Sequence, residues 1–468
     1  MISVVSLVIL VTIATGQHIC DNQDTQRANP PVTSIPDYRV YVYDLPPRFT
    51  SDLLNCANLR NYCFDLRHQG MGEQLYQDGP LSIRDTHQFS LEVLMHHKLM
   101  HSTRRTNNPS EADLFYIPFY SALTCFCRQG DYDQLEQLYA YLRGEWGAHF
   151  PSKPHFGILS KIEREQYSVN CPTLRHPDSR LVTWVGIEQE VVENNRKYYN
   201  VTGELVVAPY PSYGHFIQGE NITAPALHSW LYNHTRTVRV FMAAGERRSN
   251  PFRNLILDQF PPATDVSYTE HMAARGRGEE TEMVWLKTPE CQGRHRNTTM
   301  LWMKHAVFCV QPSGDSPTRK SFYDAILSGC IPVIFEFKNK VKYPFSASID
   351  YSKFTVSIPE ENIKAGVSIL HVLNRVTSDQ IKDMQRHLVA VAPLLQYSYP
   401  PLTRGHHDAV DMILHEIAKN VFYKDNSTAN TAEGNEGNTN QTIQSKNLDP
   451  TSNTQPLASN SRDSHDEL

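Results

Sequence analysis

The stretch from Phe308 to Phe335, FCVQPSGDSPTRKSFYDAILSGCIPVIF, decides the fold of the second half of the chain. Its first apolar run ends at Gln311-Pro312, and a loop of small and polar residues follows. A helix is predicted to begin near Pro317-Thr318, because proline suits the first turn of a helix. A second apolar run, Ile331 to Phe335, indicates the next strand. A strand, a loop, a helix and a strand in this order predict one unit of a parallel sheet with covered faces.

Similar units occur on both sides of this stretch. In the first half, strands are predicted at Arg39 to Leu45, Leu114 to Tyr120, Leu181 to Ile187 and Leu205 to Ala208, with helices at Phe89 to Met100 and Asp131 to Trp146. In the second half, strands are predicted at Val238 to Ala244 and Ala306 to Val310, with helices at Pro251 to Phe260, Thr318 to Ser328, Glu360 to Leu373, Ser378 to Leu395 and His407 to Lys419. Two such series predict an α/β protein with two doubly wound domains.

Length and composition set the outer limits. The chain has 468 residues, 40% of them hydrophobic and 20% charged, with a net charge of −6. This balance excludes a wholly disordered, collagenous or coiled-coil chain, and it gives no reason to expect nucleic-acid binding. We predict a signal peptide at 1–16, a lead-in segment at 17–36, domains at 37–235 and 236–424, and a disordered tail at 425–468, which is rich in Asn, Ser and Thr.

The two ends of the chain indicate a lumenal protein. The apolar run Ile2 to Ala14 is shorter than a membrane span and resembles a signal peptide, with a short membrane anchor as the alternative. The last residues, His465-Asp466-Glu467-Leu468, match an endoplasmic-reticulum retrieval address read by a receptor. We therefore expect an endoplasmic-reticulum location, with cycling through the Golgi.

Cysteines and glycosylation sequons agree with that compartment. The nine cysteines predict disulfides, and their odd number leaves at least one thiol over. Cys309 and Cys330 lie in apolar runs and are interpreted as buried small hydrophobic residues. Asn-x-Ser/Thr sequons predict exposed, glycosylated loops at Asn200, Asn221, Asn233 and Asn297, and two more lie in the tail at Asn426 and Asn440.

The loop inside the deciding stretch has the chemistry of an anion site. Small, hydroxyl-bearing and cationic residues meet there at a predicted helix N-terminus, where backbone N–H groups favour phosphate. The residues concerned are Ser313, Gly314, Ser316, Thr318, Arg319 and Lys320. Asp324 follows on the same helix and could face a ribose. A capped helix with solvated charges is the plainer alternative.

A second basic loop follows the predicted strand Val238 to Ala244. It carries Arg247 and Arg253, so two such loops could hold a diphosphate from both sides. Neither a P-loop nor a Gly-x-Gly-x-x-Gly motif occurs. Asp131-Tyr132-Asp133 resembles a metal-binding Asp-x-Asp motif but follows no buried strand, so we interpret it as a helix N-terminus. No metal site is predicted.

Five stretches resemble the exostosin-type glycosyltransferases of family 47, in particular the plant xyloglucan galactosyltransferase branch. They are YVYDLPPRF (41–49), DTHQFSLEVLMHHKLM (85–100), EADLFYIPFYSAL (111–123), VVAPYPSYGH (206–215) and the deciding stretch (308–335). The resemblance implies a GT-B-like enzyme with two Rossmann-like domains facing a cleft. The first domain would hold the acceptor and the second a nucleotide-sugar, without a metal. It also implies inverting transfer, with Arg247, Arg253 and the residues of the 313–324 segment as the donor site.

Direct displacement with inversion needs a base that accepts the proton of the acceptor hydroxyl. The candidates are His215, Asp44 and Asp315, and a structural role for His215 stays equally open. The chain departs from the branch at Pro154-His155-Phe156, where Asp-His-Phe is usual, and in its predicted lumenal location. We therefore expect transfer from a UDP-sugar to a glycan or a glycoprotein. The alternatives are a non-catalytic carbohydrate-binding protein on the same fold and a glycoside hydrolase, for which no carboxylate pair is evident.

Overall fold

The structure is a computed structural model of the whole chain. It describes residues 35–128, 131–146, 153–191, 205–217, 230–231, 235–246, 250–276, 279–288, 298–314, 316–336, 340–399 and 407–432. The predicted signal peptide and terminal tetrapeptide lie outside these residues, as do Asn200, Asn221, Asn233, Asn297, Arg247 and Asp315. The chain divides into two compact units, Met1–Ala418 and Lys419–Leu468, and all of the sheets lie in the first unit.

The strands of the first half form a six-stranded parallel sheet, a three-stranded antiparallel sheet and one strand of a two-stranded antiparallel sheet. In chain order they are β1 (Val40–Val42), β2 (Gln74–Asp78), β3 (Leu81–Arg84), β4 (Arg105–Thr106), β5 (Leu114–Ile117), β6 (His155–Leu159), β7 (Thr183–Gly186), β8 (Gln189–Val191), β9 (Val206–Val207) and β10 (Gly214–Phe216). The large sheet has the order β4-β1-β5-β6-β7-β9. The sequence prediction omitted β6, which is buried along its whole length.

The second half contributes a five-stranded parallel sheet of order β12-β11-β13-β14-β16. Its strands and one extra strand are β11 (Val238–Ala243), β12 (Thr281–Leu286), β13 (Ala306–Val310), β14 (Ile331–Glu336), β15 (Lys340–Lys342) and β16 (Val356–Pro359). Within each large sheet, the strand that comes second in the chain lies outermost, beside the first, and the later strands follow on the other side. This doubly wound order places a topological switch point between β1 and β5 and another between β11 and β13.

Helices connect the parallel strands. They are α1 (Asn58–Asn61), α2 (Leu91–Met100), α3 (Ser121–Cys127), α4 (Tyr132–Trp146), α5 (Pro251–Leu257), α6 (Tyr268–Arg275), α7 (Thr299–Lys304), α8 (Lys320–Leu327), α9 (Glu360–Lys364), α10 (Ile369–Asn374), α11 (Ser378–Val391) and α12 (Ala409–Ala432). The single helix predicted from Glu360 to Leu373 is two helices, because Gly366 has a φ of +80° and ends the first of them. Asp131 accepts a hydrogen bond from the Gln134 N–H at 3.2 Å, which confirms Asp131-Tyr132-Asp133 as a helix N-terminus.

Two small sheets join distant parts of the chain. Strands β10, β3 and β2 form an antiparallel sheet in the first half. Strand β8 of the first half pairs antiparallel with β15 of the second, matching Gln189 to Lys342. The two halves are therefore linked by backbone hydrogen bonds just beyond the end of β7.

A core also crosses from one half to the other. One contiguous apolar cluster contains residues of the first sheet together with Phe322, Tyr323, Ile326 and Leu327 of α8. On another face of α8, Ala325 packs with Trp302 and Cys330 in a cluster of the second half. Because α8 is covered by both halves, the loop before it is held between them.

Three disulfides have both partners among the described residues: Cys56–Cys127, Cys125–Cys171 and Cys309–Cys330. Cys309 and Cys330 are buried, as expected, but they are bonded to each other and are not two separate thiols. This bond ties β13 to the residue just before β14. Within the described residues, no helix has both the length and the apolar character needed to cross a membrane.

Candidate active site

Two polar loops lie side by side at the switch point of the second sheet. The β11 loop (residues 244–250, of which 247–249 lie outside the described part) follows β11, and the β13 loop (residues 311–319, without Asp315) follows β13. The Asn250 side chain donates to Ser313 Oγ at 3.2 Å, and Arg253 donates to the Ser313 carbonyl at 3.3 Å. The carboxyl end of a parallel sheet at its switch point is where doubly wound proteins bind ligands.

Cationic side chains surround the junction of the two loops. Arg253 is 3% exposed, and the Asn250 side chain caps the helix that carries it. Arg319 donates to the carbonyls of Ala243 at 3.1 Å and Pro312 at 3.3 Å, so it joins the ends of β11 and β13. A carbonyl carries no net charge, so these bonds place the positive charge of the guanidinium group at the ends of the two strands.

Lys320 is directed away from this junction. Its Nζ lies 2.7 Å from the centre of the Tyr213 ring and 3.5 Å from Asp324 Oδ2. The predicted helix start is also displaced: Arg319 is the N-cap residue and Lys320 the first helical residue. These contacts lend no support to nucleotide-sugar binding by Lys320, which stays a prediction.

The β13 loop has an open face at Gly314. A β-carbon added to Gly314 would meet no atom of the described residues within 4 Å, and the φ of Gly314 lies outside the left-handed region. Neither packing nor backbone conformation therefore requires glycine at this position. Glycine also serves where a ligand must approach the backbone closely, and this role fits the open face.

Asp324 is buried between the halves of the chain. It is 1% exposed, and its Oδ1 accepts a hydrogen bond from the Tyr213 N–H at 2.8 Å. Burial raises the pKa of this carboxyl group, while Lys320 and the Tyr213 N–H act in the opposite direction. The predicted contact with a ribose stays a prediction, and in this arrangement the carboxylate faces a backbone amide of the first half.

Ser316 and Thr318 already hold a carboxylate, that of Glu188. Glu188 Oε2 accepts hydrogen bonds from Ser316 Oγ at 2.9 Å, from the Thr318 N–H at 2.9 Å and from the Thr318 hydroxyl. Tyr210 OH lies 3.5 Å from the same oxygen. Sequence reasoning missed Glu188, although a carboxylate directly after the predicted strand Leu181 to Ile187 was a usable signal.

His215, the first candidate base, lies in the interior with no exposed surface. Its Nδ1 contacts the Tyr397 carbonyl at 2.6 Å and its Nε2 contacts Thr86 Oγ1 at 2.7 Å. Burial lowers its pKa to about 3, so the ring is neutral at pH 7. Because both ring nitrogens are engaged, these contacts favour the structural role that the sequence left open.

The other candidate bases are placed differently. Asp44 is exposed just beyond the end of β1, and its carbonyl accepts a hydrogen bond from Tyr141 OH at 2.8 Å. Asp315 lies outside the described residues. Within the described part of the chain, no three His, Cys, Asp or Glu side chains are grouped so that they could hold a metal ion.

An open groove of about 410 Å³ lies in the second half, beside the residues that follow β15. It is lined by Tyr343, Ser348, Asp350 and neighbouring residues. This volume is within the range of small-molecule sites. None of the described residues predicted to bind the nucleotide-sugar lines this groove, so it is separate from the junction of the two loops.

A doubly wound sheet with cationic side chains at its switch point is typical of nucleotide-binding α/β proteins. Residues 35–373 match the model of the Exostosin GT47 domain, and the chain belongs to this family. It is a glycosyltransferase, which confirms the prediction of the enzyme class and of the family.

Similar proteins include two from Arabidopsis thaliana. A probable xyloglucan galactosyltransferase, GT17, is 28% identical over 408 residues, which cover 84% of this chain and 85% of the relative. The xyloglucan-specific galacturonosyltransferase 1 is 26% identical over 372 residues, or 75% of this chain and 52% of the relative. Among solved structures, Anabaena HepE in complex with UDP has a TM-score of 0.32 and 12% identity, covering 67% of this chain and 79% of HepE.

Proposed function

We propose that the protein transfers a hexose or a related sugar from a UDP-sugar to a glycan or glycoprotein, with inversion at the anomeric carbon. The observation that carries this proposal is the junction of the β11 and β13 loops. Ser313 accepts bonds from Asn250 and Arg253 there, and the backbone beside it is open at Gly314. The two Arabidopsis relatives are named for galactosyl and galacturonosyl transfer, so UDP-galactose and UDP-galacturonic acid are the first donors to test.

The loops would act on the charge that develops when the sugar leaves its diphosphate. Arg253 and Arg319 supply positive charge at the carboxyl ends of β11 and β13. The N-terminus of α8 adds the positive end of its dipole. Groups fixed in advance around a leaving oxyanion lower the barrier without reorganising during the reaction.

The acceptor hydroxyl must lose a proton as it attacks. Asp44 is exposed at the carboxyl end of the first sheet, and we propose it as the base to test first. Replacing Asp44 with Asn should lower kcat by about a hundredfold while the affinity for UDP is unchanged, since general-base catalysis contributes 10²–10⁴-fold. An unchanged kcat would remove Asp44 and leave Asp315 as the candidate.

Gly314 gives the sharpest test of the donor site. The variant Gly314→Ala should fold normally and bind UDP about tenfold more weakly, because a methyl group would meet the bound diphosphate. Gly144→Ala is the matched control, since a β-carbon at Gly144 also meets no atom of the described residues within 4 Å. Isothermal titration with UDP, followed by transfer assays with the UDP-sugars, measures both effects.

Three results would contradict the proposal. Folded wild-type protein that binds no nucleotide would favour the non-catalytic carbohydrate-binding alternative. Equal UDP affinity in Gly314→Ala and wild type would place the diphosphate elsewhere. Binding of UDP without transfer to either a glycoprotein or xyloglucan oligosaccharides, from any donor, would exclude the acceptor classes named here.

We also propose that the protein works in the lumen of the endoplasmic reticulum and is returned there by the retrieval receptor. The terminal His465-Asp466-Glu467-Leu468, the sequons and the disulfides support this proposal. Deleting residues 465–468 should release the protein into the medium. Retention of the truncated protein inside the cell would contradict retrieval through this signal.

A further inference from the structure

The carboxylate of Glu188 is surrounded by hydrogen-bond donors of a kind that would also hold a phosphate oxygen. The Ser316 hydroxyl, the Thr318 hydroxyl and the Thr318 N–H all donate to one oxygen atom, Glu188 Oε2. We call these three donors, with the Tyr210 hydroxyl at 3.5 Å, the Thr318 cradle. Glu188 is 1% exposed, so the cradle is closed to water in this arrangement.

The carboxylate that fills the cradle comes from the other half of the chain. Glu188 follows β7 of the first sheet, whereas Ser316 and Thr318 precede α8 of the second half, 128 and 130 positions further on. Strand β8 begins at the next residue and pairs with β15. Glu188 is therefore carried by a segment that joins the two halves beside the proposed donor site.

A carboxylate and a diphosphate at this place would repel each other. Like charges a few ångström apart repel each other strongly at a site that water does not reach. A hydroxyl or N–H that donates its hydrogen to Glu188 also has none left for a phosphate oxygen. The residues that the sequence assigned to nucleotide-sugar binding, Ser316 and Thr318, are thus available only when Glu188 leaves.

We propose that Glu188 competes with the donor diphosphate for the Thr318 cradle, filling it while the protein is empty and leaving it when the nucleotide-sugar binds. This inference rests on the proposed function and adds the residue that sets donor affinity. Ser316 and Thr318 then bind the nucleotide-sugar, as the sequence predicts, but only after Glu188 has left the cradle.

The test compares UDP with uridine on wild-type protein and two variants, by isothermal titration on the full chain. Glu188→Gln removes the competing charge and should bind UDP at least about tenfold more tightly than wild type. Glu188→Asp keeps the charge but is one methylene too short for the cradle, and it should bind UDP about threefold more tightly. Uridine, which has no phosphate, should bind all three proteins within twofold.

Thermal unfolding supplies the second readout. Without ligand, Glu188→Gln should unfold at a lower temperature than wild type because it holds the cradle less firmly. Its stabilisation by a fixed, high concentration of UDP should be larger than that of wild type, because binding to the native state raises stability with the logarithm of the affinity. Glu92→Gln is the control, since Glu92 also places a buried carboxyl group next to a helix N-terminus and its replacement should leave UDP affinity unchanged.

UDP affinity that falls or stays within twofold in both folded Glu188 variants would overturn the competition while leaving the proposed function intact. Tighter UDP binding by Glu188→Gln with unchanged UDP binding by Glu188→Asp would also overturn it. The negative charge of Glu188 alone, without occupation of the cradle, would then explain the change in affinity. If Glu188→Gln does not fold, Glu188→Asp decides by the same criterion. Absence of UDP binding in every protein would contradict the proposed function and this inference together.

Discussion

The N-termini of α3 and α8 occupy equivalent places in the two parallel sheets. Helix α3 follows β5 and α8 follows β13, and each of these strands lies beside the first strand of its sheet. Each helix begins near the buried carboxyl group of a glutamate, Glu92 for α3 and Glu188 for α8. The Ala122 N–H donates to Glu92 at 2.7 Å, as the Thr318 N–H does to Glu188 at 2.9 Å.

The two glutamates come from different parts of the chain relative to the helix that each contacts. Glu92 belongs to α2 of the same half, and a second backbone group of that half, the Ser160 N–H, also donates to it at 3.2 Å. Glu188 reaches across from the first half to a loop with an open face at Gly314. The comparison teaches that one switch point is closed by a group of its own half, while the other is closed by a group from the opposite half, which we propose withdraws when the donor binds.

Acid should weaken the first half more strongly than any single substitution. Burial lowers the pKa of His96 and His155 to about 4 and that of His215 to about 3. A histidine with a lowered folded pKa contributes stability above its unfolded pKa of 6.5 and loses it as pH falls through the folded value. At pH 5 each should have lost on the order of 2 kcal/mol.

Urea unfolding between pH 7 and 4.5 measures this loss. The variant His155→Gln should lose less unfolding free energy than wild type between pH 7 and 4.5, because it lacks the contribution of this one histidine. Stability that rises between pH 6.5 and 5 would show that these three rings are not neutral in the folded protein.

Removing a disulfide should give the next largest loss of stability, and its effect on UDP binding should differ between the two halves of the chain. The chain-entropy account predicts a loss of about 4 kcal/mol for Cys125→Ala with Cys171→Ala, whose loop spans 46 positions. The same account predicts about 3 kcal/mol for Cys309→Ala with Cys330→Ala, which spans 21 positions. Only the second pair borders the β13 loop, so only it should weaken UDP binding, by about threefold.

Chemical unfolding and titration with UDP test both pairs of substitutions. A change in UDP affinity in the Cys125 and Cys171 pair alone would reverse the assignment of the two switch points. Equal affinity in all proteins would show that the disulfide beside α8 does not shape the donor site.

Glu92→Gln should have the smallest effect at neutral pH. Burial raises the pKa of Glu92 to about 8, so its carboxyl group is mostly protonated at pH 7 and glutamine is a close substitute. A carboxyl group with a raised pKa contributes stability below its unfolded pKa of about 4.5 and loses it as pH rises towards 8. The stability of Glu92→Gln relative to wild type should therefore increase from pH 5 to 8, by about 1 kcal/mol or more.

Paired unfolding measurements at pH 5 and pH 8 isolate this contribution, because the histidines change equally in both proteins. A constant difference between the two proteins would show that Glu92 is ionised throughout. Lower UDP affinity in this variant would contradict its structural role.

The sequence predicted the parallel sheets because apolar runs and turn residues are local signals. Strand β13, from Ala306 to Val310, has the bounds that were predicted. Strand β6 was missed because His155 starts it and its apolar run is short. The β13 loop was found through its residue types, but its partner Glu188 was not, since a contact across 130 positions leaves no local pattern. His215 and Asp324 were identified as polar residues near a site, whereas their burial depends on packing between the two halves.

Hydrogen exchange with and without UDP tests the central claim most directly, because it reads both switch points in one experiment. The account predicts that UDP slows exchange at the amides of 250–254 and 313–322, and leaves those of 121–125 at the N-terminus of α3 unchanged. Slower exchange at 121–125, with no change at 313–322, would contradict it and place the nucleotide in the first half of the chain.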